Sequence, residues 1–265
     1  MLRSVKHLHN ATIGATDGDI GNVDEFLFDD EQWTIRYMVV NTGDWLVDQL
    51  VLISPMAIQS VDWEHHRVNV NLPRQKVEGA PPIETDQPVS RQKEEDFAAH
   101  YGYNPYWYGG GIWGVSMTPY AFQPVPGAPI DVLARTAERH ELSDEQPHGE
   151  NHLRSTSEVR NYHIHASDDE IGHVSDFIID DETWQIRYMV IDTSNWWFGK
   201  KVLVAPEWIT RIDWGNAQVD VSMSREQIKQ GPEFKESMLN RTYEEQLYQH
   251  YRRPGYWEQQ PPKTS

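Results

Sequence analysis

The side chains with the most chemistry to offer are histidines. The segments "HLH" (7–9) and "HIH" (163–165) each set two imidazoles two residues apart. On a strand both would share one face, at metal-ligand spacing. Acidic clusters come next: Asp29–Glu31 and Asp180–Glu182, with Asp17, Asp19 and Asp168–Glu170. They could attract calcium, but lack the spacing of a twelve-residue calcium loop and its terminal Glu. Aspartates that close their own turns explain them more simply. Arg36 and Arg187 stand inside apolar runs. Each is either an anion clamp or an arginine on the outer wall, or one paired with a turn aspartate such as Asp29 or Asp180; the structural reading is preferred. No G-x-S-x-G elbow, P-loop or dinucleotide fingerprint is present. With no cysteine, disulfides, thiolate metal sites and cysteine nucleophiles are excluded. No catalytic residue, metal or cofactor is therefore expected, although carboxylates and a histidine could still converge in space.

The aromatic residues are the other resource, with 11 Trp and 12 Tyr among 265 residues. Such rings must be packed or used in contacts. They concentrate in "HYGYNPYW" (100–107) and "HYRRPGYW" (250–257). Tyr106, Trp107, Tyr256 and Trp257 in these tails are candidate protein contacts, as are Trp45, Trp196 and Trp197 in a loop between strands. The competing reading, favoured for the tails, is that they wrap a barrel too small to be stable alone.

These residues recur because the chain is duplicated. Shifting by 151 aligns 2–83 with 153–234 without a gap, and 32 of the 82 aligned positions are identical. The histidine pairs are not repeated: His7 and His9 align with Glu158 and Arg160, and His163 and His165 with Thr12 and Gly14. That favours surface histidines over a metal site. The tails repeat at an offset of 150, "EEDFAAHYGYNPYW" (94–107) answering "EEQLYQHYRRPGYW" (244–257). The chain thus reads as a first domain over 1–108, a Gly/Pro-rich and polar linker over 109–150, with a short helix at 130–140, and a second domain over 151–260.

Within each repeat the pattern is strand-like. "IRYMVV" (35–40) and "IRYMVI" (186–191) are β-branched and aromatic between acidic turns. "QLVLIS" and "KVLVAP" end at prolines, and "VDWEHHRVNVNL" and "IDWGNAQVDVSM" read as hairpins. Five or six short strands in about 70 residues suit a small closed barrel. Gly21 and Gly172 sit where such a barrel bends or backbones approach closely. Ser224 and Gln227 form a capping box, with a stop at Gly231-Pro232, so a short helix follows the barrel.

The stretch "DDEIGHVSDFIIDDETWQIRYMVIDTSNWWFGKKVLVAPEWI" resembles the PRC-barrel family, in its I-G-x-V turn, R-Y-x-V strand and G-K-K-V-L-V-A-P segment. The family takes its name from the photosynthetic reaction centre, whose H subunit carries this barrel, and similar barrels occur in a ribosome maturation factor and many bacterial proteins. The first repeat keeps I-G-x-V and R-Y-M-V, but has no G-K-K, and Met56 and Ala57 stand where Glu207 and Trp208 stand in the second. The resemblance implies a mainly β chain of two tandem small barrels, each followed by a short helix and an aromatic tail. It supplies no shared catalytic residues.

Charge narrows the partners. The net charge is −18, and residues 1–90 carry 6 Lys/Arg against 14 Asp/Glu. Direct nucleic-acid binding and anionic membranes are disfavoured, while a basic protein would be attracted. "MLRSVKHLHNATIG" has no apolar run of signal-peptide length, and no stretch approaches the ~20 residues of a membrane helix, so a soluble, bacterial cytoplasmic protein is expected. The expected function is a non-enzymatic protein-binding or assembly module of unknown partner, its barrels paired as an intramolecular pseudo-dimer, with further homo-oligomers open. One alternative is a ribosome maturation or RNA-processing accessory that binds a basic protein. Another is a small-ligand protein or enzyme with a site between the barrels.

Overall fold

A computed structural model describes residues 1–46, 49–83, 89–121, 152–193 and 199–258. The helix expected at 130–140 and the indoles of Trp196 and Trp197 lie outside these. The chain is mainly β, with two seven-stranded sheets.

In chain order the strands of the first repeat are β1 (Leu2–Ser4), β2 (Thr12–Ala15), β3 (Gly18–Asp29), β4 (Thr34–Asn41), β5 (Leu50–Ile53), β6 (Ile58–Asp62) and β7 (Arg67–Val70). Those of the second are β8 (Leu153–Ser155), β9 (His163–His165), β10 (Glu170–Asp180), β11 (Ile186–Asp192), β12 (Lys201–Val204), β13 (Ile209–Asp213) and β14 (Gln218–Val221). One sheet runs β5-β4-β3-β2-β7-β6 and the other β12-β11-β10-β9-β14-β13. The ends of each path are consecutive in the chain, joined by a 3-10 turn at Pro55–Ala57 or Pro206–Trp208. Neighbours pair antiparallel except β2 with β7 and β9 with β14, which are parallel.

The duplication extends to the irregularities. The β3–β4 ladder shifts register at Val23/Glu25 and Leu27/Phe28, and β10–β11 at the aligned Val174/Asp176 and Ile178/Ile179. Bulges bend the long strand, so its first residues, Gly18–Asn22 or Glu170–His173, serve β2 or β9, and the rest, from Asn22 or His173 onward, serves β4 or β11. The two glycines are needed at that bend. A Cβ on Gly21 would lie 2.0 Å from the Asn41 carbonyl oxygen, and one on Gly172 2.2 Å from that of Asp192.

The seventh strand of each sheet comes from the other repeat. β8 pairs antiparallel with the end of β3 (Ser155 opposite Leu27, Leu153 opposite Asp29), and β1 pairs with β10. The compact units are therefore not two consecutive segments. Unit 1 is Met1, Val5–Ser157 and Asp180–Gln185; unit 2 is Leu2–Ser4, Glu158–Ile179 and Ile186–Ser265.

Two helices follow each barrel. In unit 1 they are α1 (Arg74–Glu78) and α2 (Arg91–Tyr101). The helical turn α3 (Thr156–Val159) opens the second repeat. In unit 2, α4 (Arg225–Gln230) starts on the expected Ser224/Gln227 capping box, and α5 (Arg241–Tyr251) is capped by Asn240. The stretches 94–101 and 244–251, read from sequence as the start of the aromatic tails, are thus helical. The aromatic spacing hid a helix whose caps, Ser90 and Asn240, lie upstream of the repeated motif. Residues 109–121 also pack onto unit 1, where Trp113 is 1% exposed and its indole donates to the Thr183 carbonyl at 2.8 Å.

Candidate functional site

Unit 1 buries a cluster of charges where helix α2 meets the barrel. Glu94 sits in the first turn of α2, where the helix dipole favours an acid, and is 0% exposed. Its carboxylate accepts the Tyr106 hydroxyl at 2.8 Å and Arg91 at 3.3 Å, lies 2.8 Å from His152 Nε2, and is bonded to Tyr37 on β4. The Tyr106 oxygen is also 2.9 Å from His152 Nε2. Burial, then the Glu94 charge, pushes the Tyr37 and Tyr106 hydroxyls well above the usual tyrosine range. Both stay neutral donors to the carboxylate.

Arg36 extends the cluster. Its guanidinium, fully buried, pairs with Asp29 at 2.8 Å, donates to Gln32 Oε1 at 2.9 Å and the Ile112 carbonyl at 2.6 Å, and stacks 3.7 Å from the centre of the Tyr106 ring. The other Asp29 oxygen accepts the amides of Glu31 and Gln32, so one side chain both closes the turn and neutralises the arginine. Every charge here has an opposite charge or several donors, as a dry site requires.

Unit 2 repeats the arrangement. Glu244 is 2% exposed and accepts Tyr188 at 2.8 Å and Tyr256 at 3.0 Å, with Arg241 at 3.1 Å. Arg187 lies over the Tyr256 ring at 4.2 Å. Arg91 and Arg241 cover Trp107 and Trp257 at 4.1 and 4.2 Å. Each unit thus clamps its own aromatic tail by a buried glutamate. The hydroxyls of Tyr106 and Tyr256 are spent in this clamp, while Trp107 and Trp257 stay half-buried. The units differ beside it. A cleft in unit 1 is lined by Met56, Phe97, Ala98, Tyr101 and Trp107. In unit 2, Trp208 and Tyr248, aligned with Ala57 and Ala98, place their ring centres 5.1 Å apart.

The remaining sequence candidates fall elsewhere. Trp45 closes a short 3-10 turn, Gly43–Trp45. His7 is in a 3-10 turn rather than a strand. His163 is on β9, bonded to Glu170 at 2.7 Å, and exposed His65 contacts Asp62 at 2.9 Å. Among the described residues no group of three or more His, Cys, Asp or Glu could hold a metal ion. Asp17 and Asp168 accept the first amides of α1 and α4, from Arg74 and Arg225, both at 2.8 Å. Lys200 donates to the Lys229 carbonyl and, at 2.7 Å, to that of Gly231, closing the end of α4. Gln49 takes its place in the first repeat.

Glu94, Glu244 and His152 were not singled out from sequence. The usable signal was an Arg-x-x-Glu pair, 91/94 and 241/244, repeated at the tail offset of 150.

Residues 155–222 match the PRC-barrel domain. The second repeat is a PRC barrel. No curated protein matches the chain. The match ends before α4, so Arg241, Glu244 and the tail with Tyr256 and Trp257 lie outside the matched segment, while Arg187 and Tyr188, which they meet, lie within it. The first repeat shares the barrel's strand order and its bulges. Among the described residues no helix is long and apolar enough to cross a membrane.

Proposed function

We propose that the chain is a non-enzymatic assembly module built from two copies of one PRC-type barrel, working in the cytoplasm on a protein partner. The observation that carries this reading is the reciprocal placement of β1 and β8, each completing the sheet of the other repeat. Such a chain behaves as a fused pair, the covalent version of an isologous contact. The clamped tails add to it, since each barrel carries its own stabilising collar and leaves its loops for a partner. The charge of −18 favours a basic partner. On that ground an accessory that binds a basic ribosomal protein is the second reading.

The experiment is a pull-down with the intact tagged chain at low and moderate salt, read by mass spectrometry. A specific partner retained at both salts supports the module. A basic ribosomal protein lost at moderate salt supports the accessory. Turnover of a small molecule by the purified chain, with no protein captured, overturns both.

A further inference from the structure

The added strand is read by its side chains as well as its backbone. The edge of β3 is occupied by β2 only as far as Asn22, which leaves Leu27–Asp29 to accept β8. Asp30 donates its amide to the His152 carbonyl at 3.0 Å. Arg154 reaches Asp30 at 2.8 Å, and Ser155 donates to Glu25. Leu153 is 6% exposed. On β10 the serine's role recurs: Ser4 donates to Asp176 at 2.5 Å, and Asp176 aligns with Glu25. Both donor strands read Leu-Arg-Ser, and both acceptor edges present a carboxylate to the serine. Main-chain bonds supply such a contact with affinity, and side-chain partners with specificity. Nothing in it distinguishes one copy of Leu-Arg-Ser from another.

We propose that the β10 edge is a strand-docking site that also takes the Leu2–Ser4 strand of a second copy of this chain, so that copies assemble by exchanging first strands. The inference rests on the assembly reading and names its partner. A strand tethered in the same chain acts at an effective concentration of about millimolar, so the closed chain prevails when dilute and exchange between copies grows with concentration. The short ladder and the identical donor strands keep the two arrangements alike in contacts.

The test uses the full-length chain and a fluorescein-labelled peptide of residues 1–8, followed by anisotropy, with sedimentation velocity from micromolar to millimolar protein. Arg3→Pro removes a ladder amide from β1 and frees the β10 edge. The peptide is expected to bind the Arg3→Pro chain at least tenfold more tightly than the intact chain. Adding Asp176→Asn should weaken that binding about tenfold. The intact chain should form dimers towards millimolar concentration. Should Arg3→Pro fail to fold, Ser4→Ala keeps the ladder and is expected to bind the peptide at least threefold better than the intact chain. A folded Arg3→Pro chain that ignores the peptide, binding indifferent to Asp176→Asn, or a chain that stays monomeric throughout overturns the proposal. A captured partner without peptide binding ends the exchange proposal and leaves the module reading standing.

Discussion

The Glu94 carboxylate and the Tyr106 hydroxyl, 2.8 Å apart and both buried, fasten the aromatic tail of unit 1 to its own barrel. Because Glu94 also holds Tyr37 and Arg91, its loss leaves several donors without an acceptor in a dry site. Glu94→Ala is expected to cost about 3–5 kcal/mol, the range for breaking a buried charged pair. Glu244→Ala should cost a similar amount. Urea unfolding followed by circular dichroism checks both, and a loss under about 1 kcal/mol would mean that water reaches the carboxylate.

Trp107 and Trp257 are half-buried beneath Arg91 and Arg241. Truncating either to alanine is expected to cost about 2 kcal/mol, less than the roughly 3–5 kcal/mol of a fully buried ring. Trp113→Ala, at a fully buried indole, should reach the higher range. The same urea series ranks the three variants, and an order with Trp113 mildest would contradict the placement of the tail.

Gly21 and Gly172 allow a strand to pass a neighbouring carbonyl at a distance no side chain tolerates. Alanine at either position must push backbone aside, and about 3 kcal/mol of destabilisation is expected. A melting temperature within a degree of the parent would show that the bend relaxes freely.

Lys200 joins the barrel to the end of α4 through two carbonyls, and burial lowers its ammonium pKa. It is half-exposed, so solvent screens part of the effect. Lys200→Met should cost about 1 kcal/mol. Hydrogen exchange should quicken in α4 and spare α5; equal quickening in both helices would count against the cap.

Alkaline pH should unfold the protein through its tyrosines. Burial raises the hydroxyls of Tyr37, Tyr106 and Tyr188 well above the usual range and lifts Tyr256 to about 12. Unfolded tyrosines ionise near pH ~10, so above that point the unfolded state releases protons first. The stabilisation is complete below pH ~10 and lost as pH rises through the folded values. Phenolate absorbance is therefore expected to rise together with loss of the circular-dichroism signal. Full titration near pH ~10 in a still-folded chain would show these hydroxyls to be open to solvent.

Local features were legible in the sequence. The strands about Tyr37 and Tyr188 and the capping box at Ser224 depend on residues a few positions apart, the duplication shows as identity at a fixed offset of 151, and Gly21 and Gly172 stand out as glycines inside a strand pattern, so all of these survive in one dimension. The pairing of Arg36 with Asp29 belongs with them, because a turn of seven residues brings the two together. The helices α2 and α5 were half-read: their aromatic residues were visible, but their caps lay outside the motif that drew attention.

Tertiary structure decided the rest. Glu94 becomes an anchor only where Tyr37, Arg91, Tyr106 and His152 close around it, and those residues span 116 positions of sequence. The destination of Leu2–Ser4 and Leu153–Ser155 was equally hidden. A three-residue strand carries enough information to say that it pairs with an open edge, and too little to say which one. The path of the chain makes that choice, and it sends each strand to the other repeat.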